Sequence, residues 1–529
     1  MPPLLGSIGA DPARAYGFSL TSGPKELWAP MSAALYSTNT GTAQYPRGAV
    51  FSPYTATPSA FPQNNLWTFG ATQWTSGGAI AGSLCRFSAS AASAYPTRSS
   101  FENTFSQDSN TAGSKCFVGD AKFFSEASLT LFYYGGAYFS YSSGWGAIAF
   151  RSFTQTSSSS YSTANIYFIG NNTDLSPTNA VNIANGAFAF SNGNCMNVYG
   201  AKETASQTSA TYIRCKVNAP QSFATKNVNF ASGATNDTGG SGFACSASTS
   251  ALSLYLVIGI IRSSLKGIAI TKWDTTTDTI LWTQEITNST YNIDSITLWP
   301  TPTSVTSAAA CQANYGFADE NANLYVASCV KYAAGNWRPI IFKFDSSGNL
   351  LSQWEYNLTA GNREWKVGSL VYNRQTSSMF MMAMNNTDTS KVYVIKFSIS
   401  GDYISQTVID ISQSSTAGSP NGSISVNNTG EYFAFGGSRA PATGGTTPAG
   451  ISVLLPTNGT YTGTYGTGST TVGSIVVSYD SNASTWTVNK SSTTGTATAK
   501  TYTVTSSTYT SVGSGSTGSV GVLNTAGYF

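Results

Sequence analysis

The chain has 529 residues, no histidine, 26 Lys and Arg against 23 Asp and Glu, and only 9% charged residues. Ordinary globular chains carry about 25%, so this surface is built from Ser, Thr, Asn, Gln, Gly and Tyr, while 41% hydrophobic and 13% aromatic content excludes a disordered chain. The missing histidine excludes Ser-His-Asp and Cys-His nucleophiles and histidine metal ligation, and a net charge of +3 leaves no electrostatic footprint for nucleic acid.

In chain order, MPPLLGSIGADPARAYGF lacks a basic leader region and a sustained apolar stretch, which predicts no signal peptide. Residues 1–45 are rich in Pro, Gly and Ser without a strand pattern and are expected to form an extended arm. A loose repeat follows. Seven short apolar segments start near Leu66, Leu131, Met196, Leu254, Leu324, Met379 and Tyr432, about 61 residues apart on average. The clearest unit holds four strands: SLVYN, SMFMMAMN, KVYVIKFS and DYISQTVID. A strand-turn-strand phrase recurs as IAITKWDTTTDTILWTQEI, IIFKFDSSGNLLSQWEYNL, VYVIKFSISGDYISQTVID and ISVLLPTNGTYTGTYG. Its side chains vary, but a Gly, Asn, Asp or Ser stands wherever the chain must reverse.

Tandem four-stranded meanders with nearly continuous apolar second strands predict an all-β fold, a β-propeller of about seven four-stranded blades over residues 46–470. The longest apolar run, LSLYLVIGII, is too short to cross a bilayer and reads as a buried strand, so no membrane insertion is expected. Residues 471–529 are Thr/Ser/Gly-rich with alternating Val, Tyr and Trp, which predicts a ring-closing strand or a thin β stalk.

The sequence offers little chemistry. The 7 cysteines are scattered singly, without a CxxC pair, and are expected to be mostly buried free thiols; no metal or other cofactor is implied. WDTTTDTILW resembles the tryptophan-docking motif of quinoprotein-type propellers through Asp274, Thr277 and Trp282, departing from it at Asp278. In that family the motif fastens blades together. SYDSNASTW is similar to one degraded sialidase Asp-box. Two of Asp319, Glu320, Glu355 and Glu364 meeting across a propeller pore would permit glycoside hydrolysis, the enzymatic alternative. The preferred reading assigns no catalytic residue and no enzymatic activity. Trp67, Trp74, Trp145, Trp337 and Trp365 are instead candidates for stacking on sugar rings, since a Tyr/Asn/Ser-rich face combines apolar planes with neutral hydrogen-bonding groups.

The arm GSIGADPARAYGF, the hairpin residues Lys343 to Leu350 and the Thr/Ser/Gly-rich tail together resemble virion proteins of tailed bacteriophages. The resemblance implies a tail fibre or tail-tip protein, made in the host cytoplasm and built into the virion as a symmetric oligomer. Arg14, Tyr16 and Phe18 would dock the arm to other tail or capsid proteins, and the propeller would contact a host glycan or receptor. A decoration spacer without receptor contact is a further alternative.

Overall fold

A computed structural model describes strands between residues 32 and 528, with side-chain detail chiefly over 252–293, 316–410, 423–437, 453–460 and 475–504. Residues 1–31, including Arg14, Tyr16 and Phe18, lie outside the described residues.

Among the described residues the regular elements are all strands. Residues 44–106, 115–170, 188–229, 238–287, 292–358 and 365–410 supply blades 1 to 6, each an antiparallel meander. Blade 7 takes three strands from 422–456 and its fourth, Ser32–Ser37, from the other end of the chain. The protein is a β-propeller. Each of the seven apolar markers lies at the start of its blade's second strand, as in Asn65–Gln73 and Tyr432–Arg439. The reason is burial on both faces. Every residue of Ser378–Asn385 is buried, and so are the first seven of Leu324–Ala333.

Two parts of the chain run differently from the expectation. Ser32–Ser37, read as arm, is the strand that closes the ring: it pairs antiparallel with Ala449–Pro456, placing Leu35 opposite Ile451. It takes the slot that the fourth hairpin phrase was expected to fill. After Pro456 the chain leaves blade 7, and Gly463–Tyr465 pairs instead with Ile475–Asp480 on blade 6.

From there the C-terminal segment is neither ring-closing strand nor stalk. It is a belt. Ile475–Asp480 pairs with the outer strand of blade 6, Trp486–Asn489 with that of blade 5, Thr496–Ala499 with blade 4 and Thr503–Ser506 with blade 3. Thr510–Ser519 then bridges blades 2 and 1, and Asn524–Tyr528 pairs with Ser32–Ser37 on blade 7. The tail thus visits the outer edges of blades 6 to 1 in reverse chain order and ends on that of blade 7. The need is physical: an outer strand presents unpaired N–H and C=O groups, a template for aggregation. Short Thr- and Ala-rich strands such as TATA cover those groups and offer little apolar surface themselves.

The core lies between blades. One apolar cluster joins blades 4, 5 and 6 through Tyr255, Phe342, Trp354 and Phe397. A second joins blades 6 and 7, and a third joins blades 3 and 4 and includes Tyr502 of the belt.

Candidate functional site

The outer strands of blades 4, 5 and 6 begin alike. Each follows a turn fixed by a short polar side chain. Asp274 Oδ1 accepts from the amides of Thr276 at 2.7 Å and Thr277 at 3.2 Å. Asp345 Oδ1 accepts from Ser347 and Asn349, and Ser398 Oγ accepts from the amide of Asp402 at 3.0 Å. The turns contain left-handed residues, Asp278, Gly348 and Gly401, with φ of 56°, 92° and 84°.

Just past each turn the ladder slips by one residue, opposite Lys272/Trp273, Lys343/Phe344 and Lys396/Phe397. A bulge leaves one residue unpaired and re-aims its side chain. Those residues are Leu281, Leu351 and Ile404, at 52%, 51% and 40% exposure. They stand at the same structural position on three successive blades. The belt does not cover them, because its ladders begin further along, at Gln284, Glu355 and Gln406.

Beneath this row the blades repeat a second device. Lys272, Lys343 and Lys396 sit over the rings of their cross-strand partners Tyr255, Tyr325 and Phe380, at 5.8, 5.2 and 5.5 Å. Burial holds Lys272 and Lys396 below the usual lysine range. These ammonium groups are therefore part of the packing.

The charged groups on the belted half of the rim are also structural. Glu285 accepts from Arg262 Nη2 at 2.5 Å and from the hydroxyl of Tyr502 in the belt at 2.6 Å. Glu355, the equivalent residue of blade 5, accepts from Arg338 at 2.9 Å, Tyr332 at 2.6 Å and belt residue Thr494 at 3.1 Å. Burial, followed by the bond to Glu355, pushes the Tyr332 hydroxyl up to about 12. Both carboxylates are buried and fully engaged.

The residues singled out from the sequence fall elsewhere. Trp67 and Trp365 are 2% and 1% exposed, so neither can stack on a sugar. Trp365 lies in its blade's innermost strand, edge-on to Tyr393 and 5.0 Å from Trp486. Trp337 is half-buried, with Lys331 Nζ 3.9 Å from its ring centroid. Trp145 opens a blade 2 strand opposite Phe139, and Trp74 lies outside the described residues. Burial thus removes Trp67 and Trp365 from the candidate sugar-stacking set.

Asp319 organises its own turn and accepts from Tyr325. Glu320 pairs with Arg374 at 2.7 Å, and Glu364 accepts from the Gly335 amide at 2.8 Å. Glu355 stands on the outer strand of blade 5, paired with Asn489 of the belt. Among the described residues, no three of Cys, Asp and Glu are grouped closely enough to hold a metal. No helix among them is long and apolar enough to cross a membrane.

Both motif resemblances resolve into architecture. Asp274 and Thr277 build the turn, while Trp282 Nε1 donates to the Ser346 carbonyl of blade 5 at 3.1 Å. In the Asp-box-like stretch, Asp480 Oδ1 accepts from the Asn482 amide at 2.8 Å, its Oδ2 accepts from the Thr485 hydroxyl, and Trp486 is buried. Leu281, Leu351 and Ile404 carry no local mark that sets them apart from other apolar strand residues. Leu281 lies two residues past the strand start at Thr279, while Leu351 and Ile404 lie one past Leu350 and Tyr403, so no fixed spacing marks the set.

The chain matches no protein-family model, and no curated protein sequence matches it. Among solved structures it is similar to Sqt1 of Chaetomium thermophilum bound to the N-terminus of ribosomal protein L10, at 11% identity and TM-score 0.37, over 80% of this chain and 98% of that one. Unbound Sqt1 gives 10% and 0.36, over 81% and 98%. The Dos1 propeller gives 8% and 0.36, over 79% and 95%. The likeness bears on the fold alone. Nothing in the comparisons points to a virion protein, and the expected tail-fibre role is withdrawn. The expected partners, namely tail or capsid proteins, a host glycan and a symmetric virion oligomer, are withdrawn with it.

Proposed function

We propose that the protein is a non-enzymatic binding scaffold whose outer rim, along blades 4 to 6, docks an extended polypeptide segment. The observation that carries this is the row Leu281, Leu351 and Ile404, three exposed apolar side chains at one structural position in three consecutive blades. Bulged positions have no ladder partner to constrain their side chains, and a polar residue there would cost the fold nothing. Large apolar residues in all three are better explained by what they touch than by what they support. The partner chemistry follows from the surroundings. With only 9% charged residues in the chain, an uncharged segment with apolar side chains at intervals fits the rim better than a charged one.

Panning a yeast-displayed library of random peptides against the purified chain tests this, with L281S/L351S/I404S as the comparison. Peptides rich in spaced apolar residues are expected to enrich, and to bind the triple variant at least tenfold more weakly. Failure to enrich such peptides, or equal binding to both proteins, would overturn the proposal.

A further inference from the structure

The belt fills grooves that exist only when two blades are already packed. Trp486 pairs opposite Leu358 of blade 5, yet its indole donates to Gln406 of blade 6 at 2.9 Å and lies beside Trp365. Gly495 sits where blades 4 and 5 meet: a Cβ there would stand 2.6 Å from Phe342 and 2.7 Å from Ile286. Its backbone is held from both sides by one side chain, with Gln353 Nε2 donating to its carbonyl at 2.7 Å and its amide donating to Gln353 Oε1 at 2.8 Å. Tyr502 packs into the cluster shared by Val228 of blade 3 and Leu254 of blade 4 while donating to Glu285. Between these plugs, Lys490 Nζ pairs with Asp402 of blade 6 at 2.5 Å.

We infer that residues 475–504 are a clasp that seats only on a closed ring and then opens as one piece. Each belt ladder on blades 3 to 5 is four residues long, too short to persist alone. Joined by short connections, each seated ladder holds the next at high effective concentration. The coupling also acts in reverse. Withdrawing one plug slackens the strand on either side, so the blade edges lose their cover together instead of one by one. The clasp then sets how readily neighbouring blades part, whatever binds the rim.

Native-state hydrogen exchange on the intact chain tests this. The outer-strand amides at 284–287, 355–358 and 406–410 in the unmodified protein are expected to exchange through one opening event with a common rate, slower than the loops. Trp486→Ala and, separately, Gln353→Ala are expected to speed all three groups at least tenfold, leaving inner residues Met379–Ala383 unchanged. Thr498→Ala, on an exposed belt position, is expected to leave all of them as they were. Three unrelated rates in the unmodified protein, or acceleration confined to the blade nearest the substitution, would overturn the clasp. The rate comparison stands even if a variant fails to fold.

Discussion

Trp282 of blade 4 and Gly348 of blade 5 meet face to face across the blade boundary. A Cβ at 348 would lie 2.9 Å from the indole ring, while the same indole donates to the Ser346 carbonyl two residues earlier. The next boundary repeats the device, since a Cβ on Gly401 would stand 2.4 Å from Trp354. An aromatic side chain of one outer strand thus caps the turn of the following blade. The glycine is required twice, for a left-handed φ and for room.

This separates two costs. Gly335→Ala changes a residue at φ +76° with nothing near its would-be Cβ and is expected to lose about 1–2 kcal/mol from backbone strain alone. Gly348→Ala adds the collision with Trp282 and is expected to lose about 2–4 kcal/mol. Denaturant midpoints at constant slope read the difference. Equal losses would mean that Trp282 yields freely.

Alkaline pH probes the belt's polar anchor. Burial and the Glu355 carboxylate hold the Tyr332 hydroxyl up to about 12, against about 10 in an unfolded chain. Between those values the folded state keeps a proton that the unfolded state releases, so this contribution is complete below pH about 10 and is lost as pH rises towards about 12. Tyr332→Phe is expected to make stability fall less steeply over that window while leaving the slope near pH 7 unchanged. Urea midpoints measured from pH 9 to 12 check it. The same slope in both proteins would place the alkaline loss elsewhere.

What could be seen in the sequence depended on how local each contact was. Second strands were visible because burial on both faces leaves a continuous apolar trace, as in SMFMMAMN. Turns were visible because Asp345 and Gly348 are local necessities. Ser32–Ser37 was hidden since its partner, Ala449–Pro456, lies at the other end of the chain and six residues carry little periodicity. TYTGTYG misled for the complementary reason: its alternation is that of a strand, but nothing local says which sheet receives it. In the tail, Val, Tyr and Trp alternate along short strands, while the pairing of Trp486 with Leu358 leaves no local mark. Gly361 and Asn362 before Trp365 are turn-forming residues that say nothing of its burial, which follows from its place in the innermost strand of blade 6.

The belt's path is tested most directly by disulfide trapping. Asn357 stands opposite Thr487 on blade 5, and Gln284 stands opposite Ala499 on blade 4. The doubly substituted chains N357C/T487C and Q284C/A499C are expected to form their engineered bonds on mild oxidation, identified by mass spectrometry of the digested protein. The crossed pair N357C/A499C, which joins neighbouring blades out of register, is expected to stay reduced. Ready bonding in the crossed pair, or none in the two registered ones, would contradict a tail that runs blade by blade around the ring.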